Sequence, residues 1–348
     1  MRREVLVATI ALDAMGGDLG LDATVAGAAK LSREPVDIRV LLVGDAAAIS
    51  ARLADVSYDP SRLEIVGASG AVAMDADPRQ ALDDAPDCSV LTAARLVRDG
   101  DADALVSAGN TGGTILASAR TFERLPGIRR AALAAVYPTE RRHGPRRDPF
   151  ALMLDVGATL HAEEADLLGF AVMGSAYSSV ISEIAEPRVA LLSNGTEPNK
   201  GTAPIKAAHQ RLLAGPLNFA GNVEGLDIPR GTVDVIVCDG FLGNVVLKML
   251  EGVGEVFRDV AREASGRKLQ WKMGLAMLGG GLKRIRRMTD WKAYGGAPLL
   301  GMDQVIIKAH GRSESRAIRN AIKVAAKAAD GGLIEKIQSG SAELGLAD

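Results

Sequence analysis

Short apolar runs recur along the chain, each about one strand long and each closed by a polar turn. They cover residues 5–13, 40–44, 63–67, 104–107, 132–137, 151–155, 189–192, 218–221, 233–238 and 305–308. Most are continuously apolar rather than alternating, the pattern of strands covered on both faces. Between them, apolar positions return at helical spacing over 24–31, 89–97, 114–123, 163–178 and 205–213. Strand and helix in alternation predict an α/β fold, a three-layer α-β-α domain with a largely parallel sheet.

Beyond Asn244 the rhythm changes. Val246, Met249, Leu250, Val253, Val256, Phe257 and Val260 mark a long amphipathic helix. Gly279, Gly280 and Gly281 interrupt the next stretch, and Leu282, Ile285, Met288 and Trp291 resume at a three-residue step. The pattern predicts a helical hairpin over 245–292, inserted in a domain spanning 5–335, with a tail over 336–348. Lys268, Lys272, Lys283, Arg284, Arg286 and Arg287 flank its apolar tip at 273–282. Such a tip suits an anionic membrane surface. It suits equally a dimer or core helix with a solvated basic face.

Several strand ends place glycine beside Asp or Asn. These are Asp13 with Gly16 and Gly17, Gly109-Asn110-Thr111-Gly112, Asp155 with Gly157, Asn194-Gly195, Asp239 with Asn244, and the His310-Gly311 turn. A parallel sheet gathers its strand ends along one edge, so these turns are expected to converge on a single ligand crevice. The turn at Gly109 leads into a helix, whose N–H groups and dipole favour a small anion such as phosphate. Tight packing is the other use of such glycines. Lys200, in a loop just past a strand, reads as a compact cation for the same crevice or as a solvated surface charge. Asp239 reads as a helix cap or as a functional carboxylate.

Composition acts mainly by exclusion. With 41 basic and 43 acidic residues the net charge is −2, so an electrostatic partner must be met by a local patch. Cys88 and Cys238 lack zinc or redox spacing and read as buried thiols in a reducing cytosol. His143, His161, His209 and His310 are scattered and suggest no local metal site. No apolar stretch approaches the ~18 residues needed to span a bilayer, and Asp13 ends the first run with no cleavage site behind it. A cytoplasmic protein, soluble or peripheral to the membrane, is expected. Dinucleotide, P-loop, nucleophile-elbow and zinc-protease motifs are all absent.

The segments Leu12-Asp13-Ala14-Met15-Gly16-Gly17-Asp18, Val106-Ser107-Ala108-Gly109-Asn110-Thr111-Gly112, Leu154-Asp155-Val156-Gly157-Ala158, Phe170-Ala171-Val172-Met173-Gly174, Lys200-Gly201, Gly221-Asn222-Val223-Glu224-Gly225, Val237-Cys238-Asp239-Gly240-Phe241 and Tyr294-Gly295-Gly296-Ala297-Pro298-Leu299-Leu300-Gly301 run in order along the chain. Together they resemble the bacterial acyl carrier protein:phosphate acyltransferase family. The resemblance implies a fold like that of phosphate acetyltransferases and isocitrate or isopropylmalate dehydrogenases, a homodimer, and membrane contact through the hairpin. It implies a long-chain acyl thioester on acyl carrier protein and inorganic phosphate as substrates, and no cofactor. The acyl phosphate product would feed phospholipid synthesis through a glycerol-3-phosphate acyltransferase. Leu21, Cys88-Ser89-Val90, Asp83-Asp84, Thr159 and Thr196 depart from the family pattern, and they bear on carrier docking and on acyl or phosphate binding.

Phosphate attacking a thioester is an anion creating a second anion, so positioning and charge compensation are the main tasks. Lys200 is expected to stabilise phosphate or the oxyanion, and Asp239 to orient or deprotonate hydrogen phosphate. Asn110, Asn222 and Asn244 are expected to donate hydrogen bonds. Asp13, Gly16, Gly17, Gly109, Thr111, Gly112, Asp155 and His310 complete the expected substrate-binding set. Either the hairpin cluster or Arg141, Arg142, Arg146 and Arg147 would steer an acidic carrier, a solvated loop being the alternative for the latter group. Two rival functions remain: a short-chain phosphate acetyl- or butyryltransferase using coenzyme A thioesters, and a non-catalytic, membrane-associated partner in lipid synthesis.

Overall fold

A computed structural model describes residues 8–267 and 295–347. In it the apolar runs are strands of one eleven-stranded sheet. In chain order these are β1 (Ala8–Asp13), β2 (Ile38–Gly44), β3 (Leu63–Gly67), β4 (Ala104–Ser107), β5 (Ala132–His143), β6 (Asp148–Leu154), β7 (Val189–Leu192), β8 (Phe219–Val223), β9 (Val235–Val237), β10 (Ala297–Leu300) and β11 (Val305–Lys308). Across the sheet they lie in the order β3-β2-β1-β4-β11-β10-β5-β6-β9-β7-β8. The helices are α1 (Gly20–Ser32), α2 (Ala46–Ala54), α3 (Pro78–Asp84), α4 (Ser89–Arg98), α5 (Thr111–Thr121), α6 (Glu164–Ile181), α7 (Ala203–Ala214), α8 (Asp227–Arg230), α9 (Gly240–Arg267), α10 (Ser315–Asp330) and α11 (Leu333–Glu343).

Most neighbouring strands are parallel, but three pairings are not: β11 with β10, β10 with β5, and β5 with β6. The three reversals turn half the sheet upside down. β1, β2, β3, β4 and β11 run one way, while β6, β7, β8 and β9 run the other. Strand β10, which makes the reversal, is hidden in sequence because Pro298 interrupts it and Gly295-Gly296 precedes it as an apparent turn.

One continuous core, including Leu12, Val106, Ala134, Leu154 and Ile307, lies under α1, α6 and α10. The opposite face carries two cores. The first, around Ala11, Leu105 and Ile306, is capped by α4; the second, around Met153, Ile236 and Cys238, is capped by α9. Helix α10 is missed by the apolar pattern because its buried stripe is largely alanine: Ala317, Ala321 and Ala325 flank Ile318 and Ile322. Residues 336–348, read from sequence as a tail, include most of α11, whose Ile337 is fully buried as the helix packs on α6.

Helix α9 occupies the place of the expected hairpin's first arm. Leu242, Val246, Leu247 and Leu250 face the sheet. Phe241, Val245, Met249, Val253, Val256 and Val260 are each half or more exposed. The apolar tip at 273–282, its basic flank and the second arm lie outside the described residues.

Strand β5 continues six residues past its expected end at 137 to His143. A register shift between Pro138 and His143 turns the His143 side chain inward. Its Nδ1 lies 2.5 Å from Asp234 Oδ1, and its Nε2 lies 3.1 Å from Thr139 Oγ1. Gly231, at φ 66°, makes room: a Cβ there would come 2.8 Å from His143 Nε2. Arg188 donates to Asp234 from its backbone N at 2.8 Å and its Nε at 3.0 Å. Burial pushes the Asp234 carboxyl up, but the bonds from His143 and Arg188 outweigh it and hold the group down at about 2. A carboxylate below its ordinary 3.8 stabilises the fold above that pH and loses the contribution as pH falls toward 2. The unfolding free-energy gap between wild type and Asp234→Asn should therefore be about 2 kcal/mol near neutrality and shrink below about pH 4. Urea titrations across that range check it, and a gap that does not change with pH contradicts it.

Candidate functional site

Because the sheet reverses, the glycine turns do not converge on one edge of the chain. Asp13, Gly16, Gly17, Gly109, Asn110, Thr111, Gly112 and His310 follow β1, β4 and β11 at one edge. Asp155, Lys200, Asn222, Asp239 and Asn244 sit at or beyond the carboxyl ends of β6, β7, β8 and β9 at the opposite edge. A strand length, roughly 20 Å, separates the two edges. The single crevice expected from sequence is thus corrected to two half-sites. A wholly parallel sheet would have joined them; the antiparallel passage through β10, β5 and β6 parts them.

The first half-site is built on a cluster of buried polar groups. Asp13 accepts hydrogen bonds from Ser89 Oγ at 2.6 Å and Ser107 Oγ at 2.7 Å. Burial raises its carboxyl, against the pull of those hydroxyls, the Met15 N–H and the charge of Lys308. Lys308 is only 6% exposed and donates to the Ala309 carbonyl. Burial drags its ammonium down to about 8, opposed by Asp13 and Asp18. Gly16 is packed so closely on the next turn that a Cβ would lie 2.5 Å from Gly109 N. A small enclosed cavity lies behind these turns, lined by Asp13, Gly16, Ser107, Gly109 and Thr114.

Asn110 is a scaffold group here. Its Oδ1 caps α5 by accepting from Gly113 N at 3.0 Å, and its Nδ2 donates to the carbonyls of Ala73, Met74 and Ala76. The N–H groups of Thr111 and Gly112 open the helix and have no intrahelical acceptor. His310 is at the surface of the same edge. Burial lowers its imidazole, while Glu251 of α9 raises it and Lys248 lowers it, so the middle of α9 passes this edge. Lys308, Ser89 and Ser107 escaped the sequence reading as site residues. Their signal was modest: a lysine closing an otherwise apolar strand, and serines whose partner lies 76 and 94 residues away.

In the second half-site Asp155 is fully buried and its two oxygens accept five bonds. The donors are the N–H groups of Leu133, Gly157, Ala158 and Thr159 and the Thr159 hydroxyl. It shapes the loop and has no face toward a ligand. Asn222 is also committed, with Oδ1 on His209 Nδ1 at 3.0 Å and Nδ2 donating to the Glu197 carbonyl at 2.9 Å. It thereby pins the loop that carries Lys200. Lys200 itself is exposed, and its ammonium has no ion pair among the described residues. Asp239 caps α9, accepting from Leu242 N at 2.8 Å with one oxygen and keeping the other. Asn244 is exposed one turn later, beside Gly157.

A wide surface hollow of about 740 Å³ lies elsewhere, between α6, α10 and the start of β2. Its lysines are already engaged: Lys323 with Glu34, Lys327 with Glu183 and Lys336 with Ser179. The chemistry-bearing groups are at the two sheet edges instead. Among the described residues no group of three or more His, Cys, Asp or Glu could hold a metal ion. No helix described is long and apolar enough to cross a membrane.

Asp155 and Lys200 should separate cleanly in stability measurements. Asp155→Ala strands five buried donors and should cost about 3 kcal/mol or more, whereas Lys200→Ala should stay within about 0.5 kcal/mol of wild type. Urea unfolding of both variants checks the contrast.

The fold itself has solved relatives. A phosphotransacetylase from Streptococcus pyogenes superposes with a TM-score of 0.63 at 17% identity, covering 93% of this chain and 94% of that one. A 4-hydroxythreonine-4-phosphate dehydrogenase from Klebsiella pneumoniae gives 0.51 at 13% identity, covering 91% and 98%. Sequence similarity is much closer. The phosphate acyltransferase of Desulfitobacterium hafniense is 44% identical over 94% of this chain and 96% of its own length. That of Alkaliphilus oremlandii is 38% identical over 97% and 98%. A family model described as fatty acid synthesis protein matches residues 8–336. With motifs, fold and near full-length similarity in agreement, the chain belongs to the fatty acid synthesis protein family and, within it, to the phosphate acyltransferases.

Proposed function

We propose that the protein moves a long-chain acyl group from acyl carrier protein to inorganic phosphate, yielding acyl phosphate and free carrier for a glycerol-3-phosphate acyltransferase of phospholipid synthesis. A phosphate oxygen attacks the thioester carbonyl, the C–O bond forms, the C–S bond breaks, and the phosphate proton passes to the departing thiolate. With a free-thiol pKa of about 8.5, that leaving group needs little acid assistance. The observation that carries this reading is that each of the two sheet edges bears both a helix N-terminus suited to an anion and a lysine. One has the N–H groups of Thr111 and Gly112 with buried Lys308; the other has the start of α9 with exposed Lys200.

In this reading the first half-site receives phosphate at Gly16, Gly17, Gly109 and the α5 terminus, with the negative charge of Asp13 and Asp18 helping Lys308 keep its proton. Lys200 compensates the oxyanion, and the second oxygen of Asp239 orients hydrogen phosphate. The two halves lie at opposite edges of one chain, so they meet only between two copies. Helix α9 offers the means. It starts at the second edge, passes His310 at the first, and bears the exposed stripe from Phe241 to Val260. Two α9 helices packed antiparallel about a two-fold axis bring the Asp239 end of one copy to the His310 region of the other. The isocitrate/isopropylmalate dehydrogenase-like label, the helical hairpin over 245–292 and its peripheral membrane contact belong to the same reading.

Phosphate-dependent release of carrier thiol from palmitoyl carrier protein is the primary test. Preference for acetyl coenzyme A points to the short-chain reading, and no release from any thioester points to a scaffold. Lys200→Ala should lower turnover at least about a hundredfold with the fold intact; near-normal turnover removes Lys200 from the mechanism. Co-expression of Lys200→Ala with Asp13→Asn should recover about a quarter of wild-type activity, because a mixed dimer then keeps one intact shared site. No recovery beyond the two single variants refutes sharing between copies.

A further inference from the structure

We propose that the arginine-bearing turn between β5 and β6, residues 140–148, is the docking surface for the acidic carrier protein. The inference rests on the acyl-carrier reading above and names where that partner sits. The turn presents Arg141, Arg142, Arg146 and Arg147, all exposed, against one exposed acid, Glu140. Arg146 pairs with Glu183 at 3.0 Å. Arg141, Arg142 and Arg147 have no ion pair among the described residues, with Arg142 reaching only the Arg147 carbonyl at 3.4 Å. Other exposed arginines are either paired, as Arg39 is with Glu64, Arg98 with Asp99 and Arg120 with Asp83, or stand one at a time without an ion pair among the described residues, as Arg33, Arg79 and Arg230 do. Three unneutralised guanidiniums within seven residues form a local positive patch on a chain of net charge −2.

The patch is held in place rather than left to solvent. His143, between the exposed arginines, is buried on Asp234 and Thr139. The turn closes through Arg147 N to the Gly144 carbonyl at 3.1 Å and packs against Ile184 beside it. A surface so fixed loses little conformational entropy on binding, and guanidinium forks match carboxylates in pairs. Its position fits delivery of a thioester. β5 ends at the same edge as the first half-site, two strands from β11, and projects beyond it. The turn carries no large apolar side chain to insert between lipids, which favours an acidic protein over a membrane surface.

The double variant Arg141→Glu, Arg142→Glu tests this. Binding of holo acyl carrier protein is measured by fluorescence anisotropy at low and raised salt, with no turnover required. The variant should bind at least about tenfold more weakly and lose most of the salt dependence shown by wild type. Phosphate-dependent cleavage of a long-chain acyl coenzyme A should stay within about twofold. Unchanged carrier affinity, or no carrier binding by wild type, overturns the inference. So does intact carrier binding with lost binding to phosphatidylglycerol-containing vesicles, which would assign the turn to the membrane. Failure of every thioester to react would refute the proposed catalytic function while leaving the binding result to decide the docking surface. Unaltered thermal unfolding of the variant confirms that a loss of binding is local.

Discussion

The antiparallel passage through β10, β5 and β6 is the constraint on which the arrangement depends. Hydrogen bonding fixes the direction of each strand relative to its neighbour, and three successive reversals send the carboxyl ends of the two halves to opposite edges. Each half keeps the α/β habit of placing polar turns beyond its strands. Neither half can borrow the other's turn within one chain. Helix α9, with its exposed apolar stripe, runs from one edge to the other.

The half-sites differ in how they hold their charges. Lys308 is buried and its ammonium is sustained against desolvation by Asp13 and Asp18. Its ammonium donates to the Ala309 carbonyl. Lys200 is exposed on a loop whose geometry is set from beneath by Asn222 and by Asn194, which accepts from Gly201 N at 2.9 Å. One cation is enclosed by the protein, and the other reaches into solvent. The β5–β6 turn is likewise supported from beneath, with the buried His143–Asp234 pair, joined by half-exposed Arg188, under an exposed row of arginines.

Several polar residues that look functional in sequence are structural supports. Asp155, Asn110 and Asn222 each use their side-chain atoms to close loops or cap helices. Their chemistry is the same as that of a ligand-binding group, because a loop that must present backbone N–H groups needs acceptors and donors to shape it. Sequence position alone does not separate a residue that touches a substrate from one that holds the turn that does.

Local information was enough to place most strands, the α/β layering and the polar turns, since these follow from apolar runs and from glycine beside Asp or Asn. The motif set likewise identified the family. Strand β10 and helix α10 were less legible, because Pro298 and an alanine-rich stripe weaken the patterns that normally mark a strand and an amphipathic helix. Strand direction and long-range partnership are not local properties at all. They arise from which edges pair and which side chains meet across 76 or 94 residues, as Ser89 and Ser107 meet at Asp13. The residue types suited to anion chemistry were therefore written in the chain, while their division between two edges was decided only when the sheet closed its hydrogen bonds.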